Sequence, residues 1–265
     1  MEALWSDVLE WLASNIWPFV RISSMLSAML IIGSRMLPSI TRLVFAIALT
    51  WALIPLVPPP QTQVSLFSLE GAVITANQLL IGTTIGFATE FISQCFILAG
   101  QVIAMQTGLG FASVVDPVNG MNTPVVGQFF SMTCALIFFG IDGHLVFINL
   151  LRQSFITLPI GADFWPQDTW KELYSFLSVM FQTAVNFSIA SICTMIVINF
   201  TFGVLTRAAP QLNIFSMGFA VSLIVGVGIL WLAMSNFYVY FERQFDQASG
   251  LVCMMIGVDC TGGIR

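Results

Sequence analysis

Charge is what this 265-residue sequence most lacks: 8% of its residues are charged, against 57% hydrophobic. Soluble domains carry about 25% charged residues, so a water-soluble globule is excluded and an integral membrane protein is indicated. Basic residues are scarcer still, eight Lys and Arg against thirteen Asp and Glu, for a formal net charge of −5. That leaves no basic patch for a nucleic-acid partner. Glu2, Asp7 and Glu10 precede any base, so no cleaved signal peptide is expected.

Ligand chemistry is missing as well. One histidine, His144, and five scattered cysteines (Cys95, Cys134, Cys193, Cys253, Cys260) provide neither a Cys-x-x-Cys pair nor four clustered zinc donors. No metal, cofactor or redox chemistry is expected from them. The sequence has no His-Glu-x-x-His, no Gly-x-Ser-x-Gly and no phosphate-binding loop ending in Lys-Ser or Lys-Thr, so it reads as no enzyme. An intramembrane protease is disfavoured on the same ground.

What is present is a series of about six apolar helical segments. They predict an all-α integral membrane protein in one domain, residues 1–265. A first hairpin, 16–57, has spans short of the ~20 residues a bilayer needs, and Pro18 interrupts the approach to it. Arg35 and Arg42 sit in its turn, which by the positive-inside rule faces the cytoplasm. The run Pro58-Pro59-Pro60 ends it as a stiff linker. A long helix, 70–105, is too long for one span, so it either breaks near Gly82 and Gly86 or projects beyond the bilayer. The spacing of those two glycines also fits a close helix contact. A further helix, 125–151, is interrupted by Gly140-Ile-Asp142-Gly143-His144. A C-terminal hairpin follows over 173–241, then a short polar tail, 242–265.

Two breaks in this pattern are informative. Residues 106–124 form a glycine-rich loop, yet Leu109, Phe111, Val114, Val115 and Met121 make it too apolar for water. It must pack on protein or line a cavity, because irregular backbone cannot face lipid. The second break is the polar bend of the C-terminal hairpin, where Pro210 must stop or kink the helix. Arg207, Gln211 and Asn213 gather there, and Arg207 is the only charge between Glu172 and Glu242.

Amides recur inside the apolar segments: Asn77, Gln78, Gln94, Gln101, Asn149, Gln182, Asn186, Asn199 and Asn236. An unsatisfied amide in hydrocarbon costs several kcal/mol by transfer estimates (~2–7), so they require partners, and their number favours an assembly. Glu90 is a coupling-ion ligand, a pair across subunits, or the point where a helix leaves the membrane. Asp142 and His144 point about 200° apart on a helix, so they mark an interfacial break more readily than a proton relay.

Three stretches, in order, resemble the FliR family of flagellar export proteins. They are Phe111-Ala-x-x-Val-Asp116-Pro117 followed by Pro124; Gly143-His144 with Leu158-Pro159-x-Gly161; and Gly203-x-x-x-Arg207-x-x-Pro210-Gln211-x-Asn213 followed by Gly218. Upstream, Gly33-x-x-x-x-Pro38-x-x-x-Arg42 is similar to the family's first hairpin. The resemblance spans about residues 20 to 240 and is shared more loosely by virulence type III secretion proteins. It implies a non-enzymatic part of the flagellar type III export gate, in the basal body at the bacterial inner membrane. One such chain would join several copies each of FliP and FliQ in a helical channel. FlhB would lie around the cytoplasmic entrance, and unfolded flagellar proteins would pass through.

The resemblance also implies roles for the two breaks. Gly108, Gly110, Phe111, Val114, Asp116, Pro117, Gly120, Met121 and Pro124 would belong to a plug that closes the resting channel. A fixed wedge between subunits is the other reading. Arg207, Pro210, Gln211 and Asn213 would be subunit contacts at the hairpin tip, or else a lipid-headgroup anchor. The competing class is a secondary transporter using Glu90, Asp142 and His144.

Overall fold

The computed structural model describes residues 2–34, 37–58, 68–111, 113–115, 122–161, 167–208, 214–258 and 260. Among them are seven α-helices: α1 Glu2–Ala28, α2 Ser39–Leu53, α3 Leu69–Thr107, α4 Val125–Gly140, α5 Gly143–Thr157, α6 Gln167–Ala208 and α7 Ile214–Ile256. The expectation of an all-α membrane fold holds. Four helices are long and apolar enough to cross a membrane: α2 with its 3-10 extension to Leu56, α3, α6 and α7. A fifth crossing results if α4 and α5 count as one bent span.

Several boundaries differ from those read in the sequence. Pro18 lies inside α1, because a proline costs a helix one hydrogen bond without necessarily ending it. The 39-residue α3 runs unbroken through Gly82 and Gly86. The segment 125–151 is two helices bent by 66°, which turns six expected segments into seven. At the break Asp142 adopts φ 57°, left-handed. The Asp142 carbonyl accepts the Leu145 amide at 2.9 Å and so starts α5. The polar tail expected beyond Glu242 is instead helical as far as Ile256. Phe241, Phe245, Ala248, Val252 and Ile256 recur there at helical spacing and are buried.

The chain forms two compact units. Unit 1 comprises residues 1–90, 138–175 and 247–265. Ile22, Met25 and Leu26 of α1 fall on one face and, with Met29 just beyond its end, are almost fully buried. Against that face α3 offers Gly82 and Gly86. A Cβ at Gly82 would lie 2.0 Å from Ser24 Oγ, and one at Gly86 would lie 2.4 Å from the Met25 carbonyl oxygen. Only glycine permits the two backbones to pack this closely. Thr89 Oγ1 accepts the Leu30 amide at 2.9 Å, satisfying the chain where α1 ends. Beyond it the turn is held by Arg42, whose guanidinium donates to the carbonyls of Gly33, Ser34 and Leu37 at 3.1–3.2 Å.

Unit 2 comprises residues 91–137 and 176–246. Its core is aromatic: Phe96, Phe130, Phe187 and Phe237 contact one another with ring centroids 4.4–5.9 Å apart. Several pairs are edge-to-face, the arrangement ring quadrupoles favour. A Cβ at Gly100 would come within 2.8 Å of Gly127 Cα, so α3 and α4 also touch through glycine.

Candidate functional site

Within the segment 106–124 the described residues carry regular structure at both ends. Helix α3 ends at Gly108, whose φ of +79° is the left-handed C-terminal cap that glycine adopts without strain. A Cβ there would lie 3.1 Å from the Phe219 ring. After a 3-10 turn, Leu109–Phe111, strands β1 Ser113–Val115 and β2 Asn122–Pro124 pair antiparallel. The register sets Ser113 opposite Pro124, Val114 opposite Thr123 and Val115 opposite Asn122. Backbone groups that an irregular loop would leave for water are therefore joined within the ribbon. Gly110 has ordinary room for a Cβ. Asp116, Pro117, Gly120 and Met121 lie outside the described residues.

At the other candidate site Arg207 is exposed in the last turn of α6, where a cation complements the helix dipole. Pro210, Gln211 and Asn213 lie outside the described residues. What surrounds Arg207 is more telling. No residue from 196 to 208 is buried, and between 218 and 236 only Gly226 is. Phe200 and Ile224 are 73% and 74% exposed. Asn199 and Asn236 are exposed on the same apolar lengths, as are Gln182 and Asn186 nearer the core. Towards the base of this hairpin the pattern reverses. The Gln244 side-chain amide donates to Thr183 Oγ1 at 2.7 Å, with both residues buried.

Asp142, His144 and Glu90 stand as follows. Asp142 is exposed and makes no side-chain cap to α5. His144 packs on Phe139 with ring centroids 5.1 Å apart, and its buried Nδ1 has no partner. No hydrogen bond through that nitrogen joins it to Asp142. Glu90 is half-buried in α3. Among the described residues no group of His, Cys, Asp and Glu could hold a metal.

A cluster the sequence reading missed is centred on Arg21, which is fully buried. Its Nε donates to Gln78 Oε1 at 2.7 Å, and Nη1 donates to the Ser154 carbonyl at 2.8 Å and to Ser154 Oγ at 3.2 Å. Nη2 donates to the Leu158 carbonyl at 2.8 Å, and the guanidinium lies 4.3 Å above the Phe155 ring. One side chain thus ties α1 to α3 and caps the carbonyl end of α5. Burial lowers its pKa to about 9, which leaves it charged at neutral pH. The available signal was a lone cation in an apolar helix together with the unexplained amide of Gln78.

The cysteines also correct the sequence reading. Cys253 and Cys260 form a disulfide, while Cys95, Cys134 and Cys193 keep their thiols. A separation of seven residues carries no signal unless the turn between the two is known.

Comparison with known proteins extends over nearly the whole chain. Residues 12–248 match the model for bacterial export proteins, family 1. The flagellar biosynthetic protein FliR of Escherichia coli K12 is 32% identical over 94% of both chains. That of Pectobacterium carotovorum is 32% identical over 93% of this chain and 94% of its own. The Bacillus subtilis protein of the same name is 23% identical over 91% and 93%.

Proposed function

The chain belongs to family 1 of the bacterial export proteins, and on that premise we propose that it is a non-enzymatic wall subunit of the flagellar export channel. Its family and its apolar helices make it a membrane protein of flagellum biogenesis and protein export. The finer reading is a gate at the bacterial inner membrane, built with FliP and FliQ and approached by FlhB, through which unfolded flagellar proteins pass.

The observation that carries this reading is the surface of the α6–α7 hairpin between residues 196 and 236. Its apolar side chains would suit lipid, but Asn199 and Asn236 would not. Amides facing hydrocarbon need a donor or acceptor that only another polar-dotted helix supplies. Neighbouring subunits meet both needs. Arg207, Gln211 and Asn213 then dock at the tip of that hairpin.

Within such a channel the 106–124 segment serves as the plug. Gly108 supplies the backbone angle at its root, and the paired ribbon gives it a defined shape. Opening then moves the ribbon as a body about Gly108, with Val114 and Val115 carried along. Removing residues 110–115 from the assembled gate should raise resting ion conductance in planar bilayers. Conductance at the wild-type level would leave the segment a fixed wedge.

The assembly reading is tested by co-expression. The chain should co-purify in defined proportion with FliP and FliQ, and a strain lacking it should be non-motile. A stable, monodisperse particle of this chain alone, indifferent to FliP and FliQ, would contradict it.

A further inference from the structure

The C-terminal end of α7 carries a covalent feature that the channel reading does not use. Gly257, at φ +68°, ends the helix in the left-handed conformation. Its amide bonds to the Met254 carbonyl, and the Val258 amide bonds back to the Cys253 carbonyl at 2.9 Å. This pair of reversed hydrogen bonds turns the chain sharply at the helix end. The turn returns Cys260 to Cys253 with a Cα–Cα separation of 6.0 Å, within the usual disulfide range. Cys253 is nearly fully buried on the helix, whereas Cys260 is half-buried. The bond therefore staples the segment after α7 back onto the last turn.

Disulfides persist in oxidising compartments and are reduced in the cytoplasm. We propose that the Cys253–Cys260 disulfide forms in cells and places the C-terminal end of α7 on the extracytoplasmic side of the membrane. The 43 residues of α7 span about 65 Å, ample for a ~30 Å hydrocarbon core, so its two ends can reach opposite faces. In forming the bond, the thiols of Cys253 and Cys260 lose two protons and two electrons. The electrons reduce the disulfide of an extracytoplasmic thiol oxidoreductase to its dithiol. The inference depends on the chain crossing a membrane and not on what the channel exports.

Thiol counting tests it on the full chain co-expressed with its partner subunits. Cells are quenched in acid, denatured, and alkylated with a polyethylene-glycol maleimide, with or without prior reduction. The expected result is three labels without reduction and five after it. Five labels without reduction would overturn the proposal. In cells lacking the extracytoplasmic oxidoreductase, five labels are expected without reduction, and three would overturn the assignment of the compartment. In a Cys193→Ser background, Cys253→Ser frees Cys260 for a membrane-impermeant maleimide added to spheroplasts. Labelling solely from the cytoplasmic face would contradict the orientation. If that variant does not accumulate, the two counts on the unsubstituted chain still decide.

Discussion

Two regions of this molecule start from the same ingredients and end differently. In unit 1, α1 carries one arginine in apolar sequence and α3 faces it with an amide. In the α6–α7 hairpin, one arginine stands at the bend, and Gln182, Asn186, Asn199 and Asn236 punctuate the apolar lengths. Arg21 is buried and satisfied by Gln78, Ser154 and Leu158. Arg207, Asn199 and Asn236 are exposed. The difference teaches that a polar residue in an apolar helix has no fixed meaning. In unit 1 the chain supplies its own partners and the polar groups lock the fold. In the hairpin, on the reading proposed above, Asn199 and Asn236 find their partners on other subunits and mark an interface.

The largest effect should come from Arg21→Ala. It leaves Gln78 and the carbonyls of Ser154 and Leu158 without their cation, and breaking a buried charged network costs about 3–5 kcal/mol. The expected outcome is a steep fall in the level of the chain, with or without co-expressed subunits, read by immunoblot of membranes. Arg21→Lys should recover only part of it, because one ammonium cannot reach the separate partners that Nε, Nη1 and Nη2 hold around the guanidinium edge. Full stability of Arg21→Ala would remove the distinction between the two regions.

Next is Gly82→Ala, whose Cβ would lie 2.2 Å from the Arg21 carbonyl oxygen. Forcing α1 from α3 should cost about 1–3 kcal/mol, seen as a lower melting midpoint in detergent. Gln244→Ala comes third. It strands the buried Thr183 hydroxyl and should cost about 1–3 kcal/mol by the same measurement.

The smallest effect on the isolated chain should come from Gly203→Ala. Nothing lies within 4 Å of the added Cβ, and alanine is the better helix former by about 1 kcal/mol. The melting midpoint should hold or rise while co-purification with FliP and FliQ falls. Arg207→Ala should behave alike, shifting stability by less than ~0.5 kcal/mol as an exposed substitution, yet lowering recovery of the complex. Normal assembly in both variants would reduce Arg207 to a headgroup anchor.

Much of this was legible in the sequence, for identifiable reasons. Low charge and long apolar runs are properties of composition, so the membrane class and helical fold followed without tertiary information. The Gly82 and Gly86 spacing and the break at Asp142 are local, and local chemistry reports them. Part of what stayed hidden depends on residues distant in sequence. Nothing near Arg21 indicates that residues 78, 154 and 158 converge on it. Nothing between Cys253 and Cys260 advertises the reversed turn at Gly257. The ribbon between Ser113 and Pro124 was invisible because three-residue strands show no alternation to read.

The central claim is that the exposed apolar length of α6 and α7 is completed by other subunits. A photo-crosslinking residue placed at Phe200 or Ile224 in motile cells tests it most directly, with Phe96 and Phe130 as buried controls. Adducts to FliP or FliQ at the first two positions, and none at the controls, are the predicted result. Phe200 and Ile224 variants that retain motility yet give no adduct to any export-gate subunit would contradict it.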